Sequence, residues 1–412
     1  MQDILTCAMG LDVHRDVIVA CLAKGELGTD PEIEIRSFST LIPEMRKLRD
    51  WVIETGCHHI AMESTGIYWQ PIYEMLEPCF DGQINILVVN ARHMKNVPGR
   101  KTDMRDAQWI ATLLRAGLLK GSFIPDKTFR ELRHLTRYRK SIVHDITAQK
   151  NRIDKFLQSS GFRFTAFLSD AFGASGRNII RHLMEHGSIS KEALNKCLKT
   201  QTRKRIDEIL IALNGSLSEH QRSFLQMTFG HLELLEQHRH AMEDAIAEEI
   251  VKHENALGLL CSIPGIDVTA AAAIIAEIGT DMSAFPDSQH ICSWAGLSPG
   301  NNESAGKRKS AHINKGNPYL KSMLCEVGWV IAGKRTLYLS GWYWRIKQRN
   351  GAKRATIALA RKLLALIYTM LRTGTPYNEE CFEIRRKQSE RKRASHMVNE
   401  LQKMGYFVVA PD

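Results

Sequence analysis

The chain has 412 residues, with 56 Lys plus Arg against 45 Asp plus Glu and a formal net charge of +11. At roughly 100–200 residues per domain this predicts two or three units, and 44% hydrophobic with 25% charged residues excludes disorder as the main state. The basic surplus favours a polyanionic partner, nucleic acid before acidic membrane.

Nine cysteines without a C-x-x-C pair or metal-ligand spacing predict scattered reduced thiols in a cytoplasmic protein and no disulfide framework. The N-terminus places no apolar run behind a basic segment and carries a charge at Asp12, which is not the pattern of a signal peptide. The longest apolar stretches, such as 268–276, fall far short of the roughly 20 residues of a membrane span. A soluble protein without a membrane partner is expected.

Residues 8–13 and 17–22 flank the polar turn His14-Arg15-Asp16 and read as a β-hairpin, with 32–38 as a third strand. A helix over 43–54, a strand at 59–62, a helix over 68–76 and a strand at 84–89 follow. Three antiparallel strands leading into strand–helix alternation predict a mixed sheet with helices packed on it. From 126 to 254 the pattern is almost wholly helical, apart from a Phe-rich patch between 156 and 176. There Leu225, Thr228, Leu232, Leu235, Arg239, Met242 and Ile246 recur at spacings of three and four, and a helix over 216–255 would extend about 60 Å. A coiled coil carrying an oligomer contact is the favoured reading, against a long helix packed on its own domain. A third unit opens near 259 with Ile263-Pro264-Gly265-Ile266 and a small-residue helix over 268–278. The segment 377–412, with its charge clusters at 385–387 and 391–393, reads as a mobile or late-docking tail. The expected division is 1–125, 126–256, 257–378 and a basic tail 379–412, in fold class α/β plus α.

Four carboxylates share a suggestive order. Asp12 ends the first strand, Glu63 ends a later one, and Asp103 and Asp106 open a helix at i, i+3 spacing that puts both on one face. An Asp at a strand end is usually a turn former, and an Asp pair at a helix start usually caps it. Crowded together, the four would repel without cations, and two Mg²⁺ ions about 3.5–4 Å apart would neutralise them and polarise a phosphodiester. Hairpin Asp, strand-end Glu and a helix-borne Asp pair form the pattern of RNase H-like nucleases. Arg100, Lys101 and Arg105, with Arg92, His93 and Lys95, add phosphate contacts beside them.

Between 304 and 378 fifteen Lys plus Arg, among them Lys307, Arg308, Lys309, Lys315, Lys321, Arg345, Lys353 and Arg354, face the single acid Glu326. That surplus of +14 leaves −3 for the rest of the chain, and one-sided charge at this density points to a phosphate backbone. Trp342, Tyr343 and Trp344 either stack on unpaired bases or pack between helices. The Ile263 to Ile266 turn could hold a phosphate at the following helix start, or be a plain Pro-Gly turn. The polar loop 294–307 feeds the basic stretch, and a hydroxyl there could attack a phosphate, although most loop serines do nothing chemical and no His base is placed beside one.

Taken together, Gly10 to His14, Ala61 to Gly66, Lys101 to Ala107, Ile263 to Gly265 and Trp294 to Lys309 resemble the DEDD-type transposases of bacterial insertion sequences, the bridge-RNA-guided recombinases. The resemblance runs to about residue 376, with the motifs in order; the tail after Glu379 carries none of them. It implies an RNase H-like (RuvC-like) N-terminal domain, a helical coiled-coil middle and a mainly α-helical C-terminal transposase domain. It further implies Mg²⁺, or Mn²⁺ in its place, on Asp12, Glu63, Asp103 and Asp106, and Ser304 as nucleophile, with Ser298 and Ser310 as nearby competitors. The implied enzyme makes a 5′-phosphoserine bond to DNA and frees a 3′-hydroxyl that attacks the partner linkage. Its implied partners are donor and target DNA, a structured bridge RNA and further copies of itself, from dimer to tetramer, in the nucleoid of a bacterial cytoplasm.

Three rivals stand beside this reading. A junction-resolving nuclease would use the carboxylates to activate water and give Ser304 no role. An actin-like kinase suits Gly10-Leu11-Asp12 but lacks a second Gly-rich phosphate loop. A non-enzymatic nucleic-acid binder would tolerate Asp106→Ala.

Overall fold

The computed structural model describes residues 3–64, 66–90, 106–299, 302–304, 307–310, 313 and 316–407. Two compact units divide the chain, Met1–Ile124 and Pro125–Asp412.

In the first unit, β1 (Cys7–Val13), β2 (Val17–Lys24) and β3 (Glu32–Ser39) form an antiparallel meander. Helix α1 (Ile42–Thr55) leads to β4 (His59–Glu63), then α2 (Trp69–Leu76) leads to β5 (Asn85–Val89). The five strands stand in the order β3-β2-β1-β4-β5, with β4 parallel to both β1 and β5. Helix α3 (Asp106–Arg115) completes the unit.

Strand alternation sorts the side chains onto two faces. Met9, Leu11, Val13, Ile60 and Met62 join Leu48, Trp51, Ile72 and Leu76 from α1 and α2 in one core. On the other face Ala8, Ala61 and Val89 pack with Ile110, Leu113 and Leu114 of α3. This second face is built from small residues because α3 lies directly on β1. A Cβ at Gly10 would stand 2.2 Å from the Ala107 carbonyl oxygen and 2.4 Å from the Ala111 nitrogen, so only glycine fits. The far end of α3 is held by buried Arg115, which donates to the Leu5 carbonyl at 3.0 Å and the Glu26 carbonyl at 2.7 Å and pairs with Asp3 at 3.4 Å.

The second unit is helical. Helix α4 (Lys127–Ser159) is followed by α5 (Ala174–His186), the short α6 (Lys191–Cys197), α7 (Thr200–Arg203) and α8 (Ile206–Ala212), and the long α9 (Glu219–Ile250). Helices α4 and α9 run antiparallel: Gln149 donates to the Thr228 carbonyl at 2.7 Å, Arg139 Nε donates to Glu243 at 3.0 Å, and the rings of Phe156 and Phe224 lie 4.7 Å apart. The stripe expected to seat another copy therefore has an occupant in its own chain. Leu225 and Leu232 belong to the cluster with Ile142, Ile146, Ile153 and Leu157 of α4, and Leu235 and Met242, partly buried, pack against it.

The chain continues through α10 (Glu254–Cys261), α11 (Val268–Ile278) and α12 (Ser288–Trp294) into the hairpin β6 (Asn302–Ser304) and β7 (Lys307–Ser310). It ends in α13 (Pro318–Gly333), α14 (Tyr338–Asn350), α15 (Ala352–Thr373) and α16 (Glu379–Lys403). Helix α16 lies in the segment expected to be a mobile or late-docking tail. Its sequence is dense in Glu, Lys, Arg and Gln, all good helix formers, and Asn378 caps it through the Glu380 N–H at 2.8 Å. Glu379 ties its start to the Tyr338 N–H and the Tyr377 hydroxyl. Among the described residues, no helix is long and apolar enough to cross a membrane.

Candidate active site and nucleic-acid surface

Asp12 follows Ala8 and Gly10 at two-residue steps, so it shares their α3-facing side of β1. Glu63 follows Ala61 in the same way on β4. One step beyond the paired Leu11 and Met62, the two acids end neighbouring parallel strands on one face. Asp106 immediately precedes Ala107, whose carbonyl lies against Gly10, so the start of α3 arrives at the same rim. Asp12 is only 17% exposed, and its Oδ2 lies 3.2 Å from His14 Nε2.

Asp103, Arg100, Lys101 and Arg105 lie outside the described residues, as do Arg92, His93 and Lys95. Among the described residues no three His, Cys, Asp or Glu side chains form a ready-made metal cage. The donor chemistry at the rim nevertheless fits Mg²⁺, which binds through one or two carboxylates, its own waters and substrate phosphates rather than through a closed all-protein cage.

Ser304 ends β6 and pairs with Lys307, the first residue of β7, at the turn end of the hairpin; Ser310 pairs with Asn302 at the other end. Ser298 is half-buried on the leg leading in. The side chains of Ser304, Lys307, Arg308 and Lys309 lie outside the described set, and so does Lys315 altogether. The two legs of the hairpin meet at a neck, where Pro299 bridges Ile313 and a Cβ on Gly316 would stand 2.2 Å from the Gly296 nitrogen. Asn317 follows at once. Its Oδ1 accepts the Tyr319 and Leu320 N–H groups at 3.1 Å, capping α13, while its Nδ2 donates to Glu277 at 2.6 Å.

Glu277, 2% exposed, also binds Arg137 through two hydrogen bonds of 2.7 and 2.8 Å and lies 3.2 Å from Arg133. Burial presses the Arg133 guanidinium down to about 10, which leaves it charged at neutral pH. The sequence reading missed this cluster, although a lone acid in the otherwise apolar run Val268–Ile278 signals a buried partner.

Lys321 is half-buried on α13, while Arg345 on α14 and Lys353 and Arg354 in the first turn of α15 are exposed. Cations at a helix start oppose the helix dipole at about 0.3–1 kcal/mol each, so their placement there answers to something other than helix stability. The one acid of the segment, Glu326, is engaged by Lys140 at 3.4 Å and Ser322 at 3.0 Å.

Of the two alternatives for the aromatics, packing between helices holds for Tyr343. Tyr343 is 5% exposed and belongs to the core. The Trp344 ring carries Arg335 at 3.7 Å and Lys347 at 4.0 Å and donates to the Ala332 carbonyl at 3.0 Å, and Trp342 has Lys362 at 5.0 Å. Outside that run, Trp329 is exposed, 62% accessible and fixed by its Nε1–H donating to Thr356 at 3.3 Å. Leu320, Leu324, Val327 and Ile331 mark the buried stripe of α13, and Trp329 falls off it, a signal present in the periodicity. At the Pro264-Gly265 turn, the Asp267 carboxylate already accepts the Ala270 N–H at 2.7 Å, so the chain itself fills part of the proposed phosphate site.

Two family models match the chain: that of the DEDD transposases of IS110 over residues 9–161, and that of the transposase IS116/IS110/IS902 family over residues 257–343. It is 25% identical over 396 residues to the transposase for insertion sequence element IS1111A of Coxiella burnetii, covering 90% of each chain. It spans 58% of the length of the curated relative y4qE from Sinorhizobium fredii, at 23% identity over 66% of this chain. Over 128 residues, 30% of this chain and 39% of the other, it is 30% identical to the pilin gene-inverting protein of Moraxella bovis. The chain belongs to the IS110 family of insertion-sequence transposases.

Proposed function

We propose that this protein is a DNA transposase and recombinase that cuts and rejoins donor and target DNA through a phosphoserine linkage. The observation that carries the reading is the convergence of Asp12, Glu63 and Asp106 on one rim of a mixed sheet, in a chain that bears Ser304 at the turn end of a hairpin. On its strand order the first unit is read as RNase H-like, of the RuvC type. Asp12, Glu63 and Asp106, with Asp103, would hold Mg²⁺. Mg²⁺ supplies charge neutralisation at the phosphate and lowers the pKa of a coordinated hydroxyl.

Ser304 Oγ gives up its proton and forms a bond to the scissile phosphorus, the bond to the 3′-oxygen breaks, and that oxygen takes up a proton in its place as the 5′-phosphate stays on the serine. The bond energy is conserved, so a partner 3′-hydroxyl reverses the step without ATP. Lys321, Arg345, Lys353 and Arg354, together with Arg100, Lys101, Arg105, Lys307, Arg308, Lys309 and Lys315, hold phosphates of DNA and of a structured bridge RNA. Assembly into a dimer or tetramer belongs to the same reading. A relative named for pilin gene inversion supports rearrangement of DNA over simple degradation.

The test incubates purified protein with Mg²⁺, element-end DNA, target DNA and its copurifying RNA. An SDS-resistant protein–DNA adduct is expected, lost in Ser304→Ala and in Asp12→Ala. An adduct undiminished in Ser304→Ala overturns the nucleophile assignment, and cleavage to free 5′ ends without an adduct favours a water-using nuclease.

A further inference from the structure

The Glu277 cluster belongs to the helical unit, and its connections lead to the serine hairpin. Chain order makes the link plain. Leaving α12, the backbone turns at Ala295 and Gly296, passes Pro299, forms β6 and β7, returns by Ile313 and reaches Gly316 and Asn317. Gly316 seats against Gly296, so the outgoing and returning legs touch backbone to backbone. The next side chain, Asn317, has its two ends committed to different neighbours: Oδ1 to the first turn of α13 and Nδ2 to Glu277 on α11.

Glu277 is in turn held by α4. Arg137 grips both carboxylate oxygens, and Arg133 approaches the carboxylate while donating to the Ala276 carbonyl at 2.9 Å. The Arg137 guanidinium also lies 4.4 Å from the ring centre of Tyr319, two residues past Asn317. A buried carboxylate bound to two arginines is costly to desolvate, and replacing such a group by apolar residues is often neutral or stabilising. A core that needed only stability would not require it. A fixed acceptor for one asparagine does.

We infer that Glu277 is a positioning residue for the Ser304 hairpin, acting through Asn317 at the neck. This rests on the reading of Ser304 as the nucleophile. Each hydrogen bond at the neck fixes where the returning leg emerges, and through Gly316 and Gly296 it fixes the outgoing leg as well.

The tether can be cut without removing the helix cap. Ser is as good an N-cap as Asn but too short to reach Glu277 while capping. In Asn317→Ser, hydrogen exchange over residues 296–317 is expected to quicken at least tenfold, with α4 and α9 unchanged. Adduct formation at saturating DNA should slow at least tenfold while the half-saturating DNA concentration stays as in wild type. Exchange over 296–317 equal to wild type, or quickened equally across α4 and α9, overturns the proposal. Should Asn317→Ser fail to fold, Asn317→Asp caps equally well and sets an oxygen where Nδ2 donated, with the same expectation. A wild-type protein that forms no adduct sinks the nucleophile reading alone, because the exchange measurement still decides whether Glu277 and Asn317 hold the neck.

Discussion

Gly10 and Ala107 meet backbone to backbone, with the Ala107 carbonyl oxygen 2.2 Å from where a Gly10 Cβ would stand. This contact seats α3 on β1, and Asp106 is the neighbour of Ala107. Gly10→Ala must therefore lift the helix start or bend the strand. Overpacking of this kind costs about 1–3 kcal/mol. The expected outcome is a lower midpoint in chemical denaturation together with strand cleavage reduced at least tenfold, since Asp106 moves with the helix. An unchanged midpoint would show that α3 does not lie on Gly10.

At the rim, Asp12 and Glu63 stand on neighbouring parallel strands, with His14 Nε2 3.2 Å from the Asp12 carboxylate. In metal-free buffer Asp12→Asn should raise the melting temperature, by relief of repulsion. Wild-type protein should gain stability with rising Mg²⁺ as RT ln(1 + [L]/Kd), and Asp12→Asn and Asp106→Asn should lose most of that gain. Equal Mg²⁺ responses in all three proteins would remove these acids from the metal set.

Lys353 separates stability from binding. It sits in the first turn of α15, where the dipole disfavours a cation. Lys353→Glu should stabilise the fold by about 0.3–1 kcal/mol on that account, yet weaken DNA binding and lower the slope of log K against log salt by about 0.9. Thermal melts and binding isotherms at several salt concentrations check the two opposite signs.

Cys7 provides a test in pH. A hydrogen bond from the Cys57 thiol, opposed by burial and aided by Lys24 and His58, holds Cys7 down to about 7, whereas burial pushes Cys21 up to about 11. The thiolate is the reactive form. Alkylation of Cys7 should accelerate as pH rises through about 7 and level off, with Cys21 silent over the same range. Mass spectrometry of peptides labelled between pH 6 and pH 9 measures this, and a first-labelled cysteine other than Cys7 would refute it.

Several elements were legible because their signals are local. Val268–Ile278 is a helix at the bounds read from its small residues, and β1, β2 and β5 follow their apolar runs to within a residue or two. Asp12, Glu63 and Asp106 could be singled out because strand ends and a helix start bracket them. What covers a stripe was not legible. The spacing of Leu225, Leu232 and Met242 declares an apolar seam, but only the fold shows α4 filling it. Likewise the Trp344 ring is taken by Arg335 and Lys347 from elsewhere in the chain, a pairing that composition alone cannot distinguish from a free stacking platform. In the tail the helix itself was not read from the charge clusters, although Glu, Lys, Arg and Gln favour one.

The neck where Gly316 rests on Gly296 has a consequence for divergence. The described strands β6 and β7 lie between two legs that meet at Gly296 and Gly316 and at Pro299 and Ile313, so a changed turn between the strands leaves the spacing of the surrounding helices untouched. The serine-bearing segment is thus a cassette. Its turn can lengthen or shorten without moving the helices around it, whereas the two glycines, Asn317 and Glu277 tolerate the least change.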